Sequence, residues 1–198
     1  MYTAYANDKD RQLTQDDEKL SYMKTPEGLI IRPELPGDYA AITHLIHAAY
    51  GRSNEGNLVE DLRHNPQFIS GFSLVAVLHK LIVGHLLLFP VFVRNAGLVF
   101  RSLALSPFSV LPEFQRNGVG AALVVSALDE AKSGKFGSVV AWGSRNYYPA
   151  LGFVPASHYH IYPPFEVPGH VFFAVELFAG GLKDVSGKIE FPPEFFAF

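Results

Sequence analysis

The chain has no cysteine among its 198 residues. That excludes a disulfide framework and a thiolate metal site. It also excludes any covalent intermediate carried on a cysteine thiol. Charge is sparse and nearly balanced, at 18% of residues with a formal net charge of −3. That balance argues against a nucleic-acid partner bound by phosphate neutralisation, and it is compatible with a cationic amine. Long hydrophobic runs are missing as well. The longest, residues 81–93, is interrupted by His85 and Pro90 and is too short to cross a bilayer, so strands are expected there and no membrane partner. Met1 to Ala4 are followed by charges rather than an apolar segment, so no signal peptide is expected and the expected location is the cytoplasm.

Apolar and aromatic side chains are plentiful: 48% hydrophobic residues, with 17 phenylalanines. A chain of this size and composition suits one domain with a sizeable core, or one domain with an arm. Most of the aromatics are expected in the core; the remainder are available to line a pocket or a subunit contact, which allows a homodimer. Residues 1–27 carry ten charges and few apolar groups. They are expected to be a mobile N-terminal arm ahead of a domain spanning 28–198.

Periodicity orders the rest. Ile30 and Ile31 sit in a first strand, and Asp38 is placed to cap a helix carrying Ile42, Leu45, Ile46, Ala49 and Tyr50 on one face. The polar stretch 51–57 reads as a loop and 58–63 as a short helix. Segments 72–78, 81–92 and 98–105 read as antiparallel strands, and 108–111 as a strand that feeds a turn. A helix over 119–132 buries Val119, Leu123, Ala127 and Ala131 and stops at Gly134. Strands are expected at 138–143, near 158–161 and over 171–178, and the tail from Gly180 is punctuated by Gly and Pro. Strands first and then a β–α–β unit imply an α/β fold around a mixed sheet.

The turn that opens the 119–132 helix carries the chemistry. A helix start leaves backbone N–H groups unpaired and attracts anions. Gly118 and Gly120 remove the side chains that would keep a phosphate away, and Arg116 adds a positive charge. A P-loop would need Gly-Lys-Ser/Thr here, and the dinucleotide fingerprint would need glycine where Leu123 stands. What remains is Q-x-x-G-x-G at Gln115, Gly118 and Gly120. Downstream, Tyr148, Leu151, Gly152 and Phe153 form Y-x-x-L-G-F, separated from the turn by one helix and one strand.

These two motifs, in this order, resemble the GNAT superfamily of N-acetyltransferases. Ile30, Ile31, Arg32 and Pro33 before Gly37, Asp38 and Tyr39 are similar to that family's first strand and helix entry. Tyr147-Tyr148-Pro149, Gly84-His85, Val185-Ser186-Gly187 and Phe191-Pro192-Pro193 resemble its bacterial YhbS-like branch. The resemblance runs from about residue 29 to the C-terminus. It implies a single domain with a mixed, mostly antiparallel central sheet flanked by helices. Its core motifs span 105–155, and closing strands and a tail span 156–198.

The resemblance also implies roles. Acetyl-CoA is the implied acyl donor and cofactor, with no metal. Its pyrophosphate is expected on the backbone of Gln115, Arg116, Asn117, Gly118, Val119, Gly120 and Ala121. The Val110 backbone is expected on the pantetheine arm, and the Phe108 N–H as the dipole that polarises the thioester carbonyl. Both side chains also read as ordinary core residues. Tyr148 is the candidate acid for the leaving thiolate, its ordinary alternative being a packing tyrosine, while Tyr147 is expected to be dispensable for the chemistry. The acceptor is expected to be a primary amine, on a small molecule or a protein, bordered by residues 51–63. His85 is the candidate base, set against the commoner reading of a hydrogen-bonded core histidine. Glu55, Glu60 and His47 are further candidates, and a water relay serves equally well. His158 and His160 would share a face if residues 158–161 form a strand, but no carboxylate completes a metal set. Two other functions compete with the enzyme: an acyl-CoA-binding sensor or scaffold without catalysis, and a nucleotide-binding module that prefers ATP or NAD.

Overall fold

The computed structural model describes residues 24–166, 168 and 171–197. The expected arm therefore lies mostly outside the described residues. Strand β1 (Ile30–Pro33) leads into helix α1 (Tyr39–Tyr50) and helix α2 (Asn54–His64). Strands β2 (Ser73–Leu78), β3 (Leu81–Asn95) and β4 (Leu98–Val110) follow as a meander, then helix α3 (Val119–Ser133) and strand β5 (Ser138–Trp142). A single helical turn, α4 (Tyr147–Ala150), precedes β6 (Val154–Pro155), β7 (Ile161–Tyr162), β8 (Phe172–Glu176) and β9 (Gly187–Glu190). Among the described residues nine strands join one sheet in the order β1-β2-β3-β4-β5-β8-β6, with β9 on β3 and β7 on β9. Only β4–β5 and β7–β9 run parallel. The α/β class and the mostly antiparallel sheet match the expectation.

The two faces of the sheet are covered by different helices. On one face α3 presents Val119, Leu123, Ala127 and Ala131, all fully buried, to Leu86, Leu88, Leu103 and Leu105. Each buried Leu or Val there contributes about 1.5–3 kcal/mol. Gly84 admits this close approach: a Cβ there would lie 2.8 Å from Leu123 and 3.3 Å from Val119. On the other face α1 buries Ile42, Leu45 and Ile46 over Val75, while α2 buries Leu58 and Leu62 over Leu87 and Phe89.

Several sequence expectations are corrected. Helix α2 begins at Asn54, not residue 58, because Glu55, Gly56, Leu58, Val59 and Leu62 all bury on its inner face. Strand β4 is continuous across Ser106 and Pro107, joining segments read as separate. Asp38 stands at the start of α1, yet its carboxylate bonds Arg32 (2.6 and 3.0 Å) and the Leu35 N–H (2.8 Å) instead of capping the helix. Residues 156–159 form a 3-10 turn rather than a strand, and His160 lies in the left-handed region at φ 55°. His158 and His160 therefore do not share a strand face. The tail contributes β9, a strand the turn-rich sequence did not suggest.

Candidate active site

Strands β4 and β5 pair only over Leu103–Leu105 and Val139–Ala141. Beyond them β4 stays on β3, while Trp142 of β5 pairs with Phe172 of β8. The two strands therefore part and open a groove of about 410 Å³ between them. Leu105, Ser106, Phe108 and Val110 line one wall; Trp142, Gly143, Ser144, Tyr147 and Tyr148 line the other.

Strand geometry decides which backbone groups face this opening. Leu111 N–H donates to Val83 O at 2.9 Å, and Ser109 pairs with His85 two positions on, so those residues direct their backbone groups at β3. Phe108 and Val110 alternate with them and direct N–H and C=O toward the open side. Two side chains take the freed carbonyls. Tyr50 Oη donates to Phe108 O at 2.9 Å, and Gln115 Nε2 donates to Val110 O at 2.9 Å.

At one end of the groove lies the glycine turn. The first helical bond of α3 runs from Ala122 N–H to Gly118 O, at 3.0 Å. The N–H groups of Val119, Gly120 and Ala121 consequently have no acceptor within the helix. Gly118 has φ +77°, and a Cβ on it would fall 2.1 Å from the Lys24 carbonyl, so this position requires glycine twice over. Gln115, Arg116, Gly118, Gly120 and Ala121 line the groove. Asn117 is exposed, and the Val119 side chain points into the core, leaving only its backbone for a ligand.

Tyr148 lies in the middle wall, 5% exposed, with ring contacts to Phe153 (5.3 Å) and Phe173 (5.6 Å). Gly143, at φ +146°, leaves room for it: a Cβ there would approach its ring to 3.2 Å. Burial, and then the neighbouring Tyr147 and Tyr50 hydroxyls, raise the Tyr148 pKa well above the usual phenol range. Its proton stays in place at any physiological pH. Tyr147 is also part of the wall. It stacks on Phe108 at 5.9 Å, and its hydroxyl closes over Gly120, so it shapes the groove.

His85 does not line the groove. It is fully buried on the α1–α2 face, with Nε2 3.0 Å from Ser73 Oγ and 3.5 Å from Glu34 Oε2. Burial lowers its pKa, and Glu34 opposes that effect. Arg63 grips Glu34 at 2.9 Å through both Nε and Nη2 and lies 3.9 Å over the Tyr39 ring. Of the other base candidates, Glu55 is buried and paired with Arg52, Glu60 is half exposed on Arg63, and His47 is exposed.

A family model described as the acetyltransferase (GNAT) family matches residues 39–153, more than half of the chain and all of the groove. The chain belongs to the GNAT family of N-acetyltransferases. Among curated proteins it is 29% identical over 132 residues to the uncharacterized N-acetyltransferase YjhQ of Escherichia coli K12, covering 66% of this chain and 73% of that one. The structure of the GNAT-family N-acetyltransferase YhbS from E. coli in complex with CoA superposes with a TM-score of 0.80 at 25% identity, over 89% of this chain and 96% of YhbS. A GNAT acetyltransferase from Brucella melitensis in complex with acetyl-CoA gives a TM-score of 0.67 at 26% identity, over 84% and 97%. Among the described residues of this GNAT chain no helix is long and apolar enough to cross a membrane, and no three His, Asp or Glu side chains converge on a metal site.

Tyr50 is one of the groove residues that the sequence does not single out, together with Ser106, Trp142, Gly143 and Ser144. It ends the apolar face of α1 and was read as packing. Its hydroxyl is what matters, and no local pattern links it to Phe108, 58 residues away.

Proposed function

We propose that this chain moves the acetyl group of acetyl-CoA directly to a primary amine. One observation carries the reading: the parting of β4 and β5 puts the glycine turn, the outward backbone of Phe108 and Val110, and Tyr148 along one groove. Relatives of this fold with CoA and acetyl-CoA bound, at 25% and 26% identity, support the donor. The pyrophosphate would rest on the backbone of Gln115 to Ala121, with Arg116 beside it. The pantetheine arm would run along Val110, and the Phe108 N–H would hold the developing oxyanion of the thioester carbonyl. Tyr148 would give a hydrogen bond or its proton to the departing thiolate; burial makes its phenol a weaker acid than usual, so the hydroxyl is a donor that does not ionise at rest.

The test is thermal unfolding with acetyl-CoA, ATP or NAD, followed by an amine screen read by release of free CoA thiol. Acetyl-CoA at 100 times its dissociation constant should stabilise the fold by about 2.7 kcal/mol, and the other two ligands should not. Tyr148→Phe should keep that shift and lose transfer. No shift with acetyl-CoA would leave the glycine turn a plain helix cap and remove the proposal's foundation. A shift with no transfer to any amine would favour an acyl-CoA sensor.

A further inference from the structure

His85 on β3 and Ser109 on β4 are cross-strand neighbours. Val75, the partner of His85 on its other side, packs against α1 and α2, so His85 and Ser109 face those helices too. Both side chains are buried, at 0% and 4% exposure. Among the described residues, neither His85 Nδ1 nor Ser109 Oγ has a hydrogen-bond partner. Buried polar atoms are nearly always satisfied, by protein or by an internal water, and two such atoms on adjacent strands suit one bridging water.

The groups beyond each atom extend the line in both directions. Behind His85, Nε2 meets Ser73 and Glu34, and Arg63 together with His85 overcomes burial to hold the Glu34 carboxyl at about 2. An ionised carboxylate only accepts, so the tautomer protonated on Nε2 suits this pair and leaves Nδ1 as the acceptor of a residue cross-strand from Ser109. In front of Ser109 is Tyr50. Burial raises the Tyr50 pKa and the nearby Ser109 hydroxyl is among the groups that oppose it, although the two make no hydrogen bond in this arrangement; the single Tyr50 proton is donated to Phe108 O, and Tyr50 lines the groove beside Tyr148. The charged and titratable groups around this line are Glu34 after β1, Arg63 on α2, Tyr50 on α1, and the Glu55–Arg52 pair near Tyr50.

We propose that Tyr50, Ser109, one buried water and the His85–Glu34 pair form a proton relay from the acceptor amine to the protein interior. The proposal rests on the acetyl-transfer reading. An incoming R–NH3+ gives one proton to Tyr50 Oη. The Tyr50 proton turns from Phe108 O to Ser109 Oγ, the Ser109 proton passes to the water, and a water proton reaches His85 Nδ1, leaving imidazolium beside Glu34. The neutral amine then forms the C–N bond to the acetyl carbon as the C–S bond breaks. Tyr148 protonates the thiolate and regains a proton from the nitrogen of the collapsing adduct. The imidazolium proton returns to solvent along the same line once product has left. His85 and Ser109 act through Tyr50 and never touch the reacting atoms.

Ser109→Thr and Ser109→Val have the same shape and differ in the hydroxyl, which separates relay from packing. The readout is kcat/KM against pH for the first primary alkylamine that the wild-type chain acetylates. Loss of the relay should drop the Val variant about 10²-fold at pH 6.5 and move its acid limb up by a pH unit or more. The Thr variant should follow the wild type, and the Val variant should recover at high pH, where the amine deprotonates unaided. Acetyl-CoA should stabilise all three proteins equally. Superimposable pH profiles for Val and Thr would overturn the relay while leaving acetyl transfer intact. A wild-type chain that acetylates no amine would overturn both. Independently of turnover, 15N NMR should show His85 at pH 7 as the neutral tautomer protonated on Nε2; protonation on Nδ1 would overturn the relay.

Discussion

The hydroxyl of Tyr50, the last residue of α1, donates to the carbonyl oxygen of Phe108 at 2.9 Å, where β4 has already parted from β5. A strand that leaves its neighbour exposes backbone groups that must find other partners. Tyr50 supplies one and thereby fixes the peptide following the residue proposed to hold the thioester oxygen. Tyr50→Phe should take the donor from a part-buried carbonyl and cost about 1 kcal/mol, seen as a fall of a few degrees in unfolding midpoint. Tyr148→Phe should be nearly neutral for stability, because the ring contacts to Phe153 and Phe173 are kept. The ordering of the two midpoints by calorimetry, Tyr50→Phe below Tyr148→Phe, checks the assignment.

Gly118 and Gly120 belong to one motif and should fail in different ways. Alanine at 118 must adopt φ +77° and collide with the Lys24 carbonyl, so it should destabilise the fold by at least about 1–2 kcal/mol and disturb the turn. Alanine at 120 meets side-chain atoms only, Tyr147 Oη at 2.8 Å and Phe108 Cζ at 3.0 Å, inside the groove. It should leave stability close to wild type and weaken acetyl-CoA binding. Paired denaturation and calorimetric titration of the two variants distinguish these outcomes. Equal losses of stability would contradict the contacts described.

What could be read in advance was local. The buried stripe of α3 has a helical period, and the glycine turn and Tyr148 sit at fixed spacings from it, so their sequence neighbourhood suffices. Helix α2 is longer than its sequence suggests, because Asn54, Glu55, Gly56 and Asn57 look like a loop until Glu55 and Gly56 bury against the rest of the fold. Strand β9 has alternating burial but only four residues, two of them charged, and exists because it pairs with the far end of β3. His85 was noticed, but its surroundings were not. Glu34, Ser73, Arg63 and Ser109 come from four separate segments, and only the sheet register and the docking of α2 bring them together.

The Glu34 carboxyl gives the acid side of stability a definite form. Burial alone would raise its pKa, but hydrogen bonds and charge from Arg63 and His85 win, taking it from 4.5 to about 2. A folded-state pKa below the unfolded one means the contribution is complete above pH 4.5 and is lost as pH falls toward 2. Stability should therefore decline through that window, and Glu34→Gln should remove most of this part of the slope while lowering stability at pH 7. His85 adds a separate decline that begins below pH 6.5, because burial disfavours its charged form in the fold. Urea midpoints from pH 7 to pH 3 measure both, and a Glu34→Gln profile as steep as wild type below pH 4.5 would refute the assignment.

Trp142 couples the groove to the core behind it. Its ring contacts Phe191 at 5.6 Å and Phe165 and Phe195 at 6.3 Å, all edge-on, while part of it faces the groove on the α2 side. Trp142→Ala would remove the ring that Phe165, Phe191 and Phe195 all contact and should cost about 3 kcal/mol, the low end for losing a large ring that is only partly buried. Trp142→Phe should keep most of the stability but enlarge the groove away from the glycine turn. If donor and acceptor enter from opposite faces of the sheet, that variant should bind acetyl-CoA as wild type does and change KM for the amine. Titration with acetyl-CoA and steady-state kinetics on the Phe variant decide it. A loss of acetyl-CoA affinity with an unchanged amine KM would place the donor, not the acceptor, against Trp142.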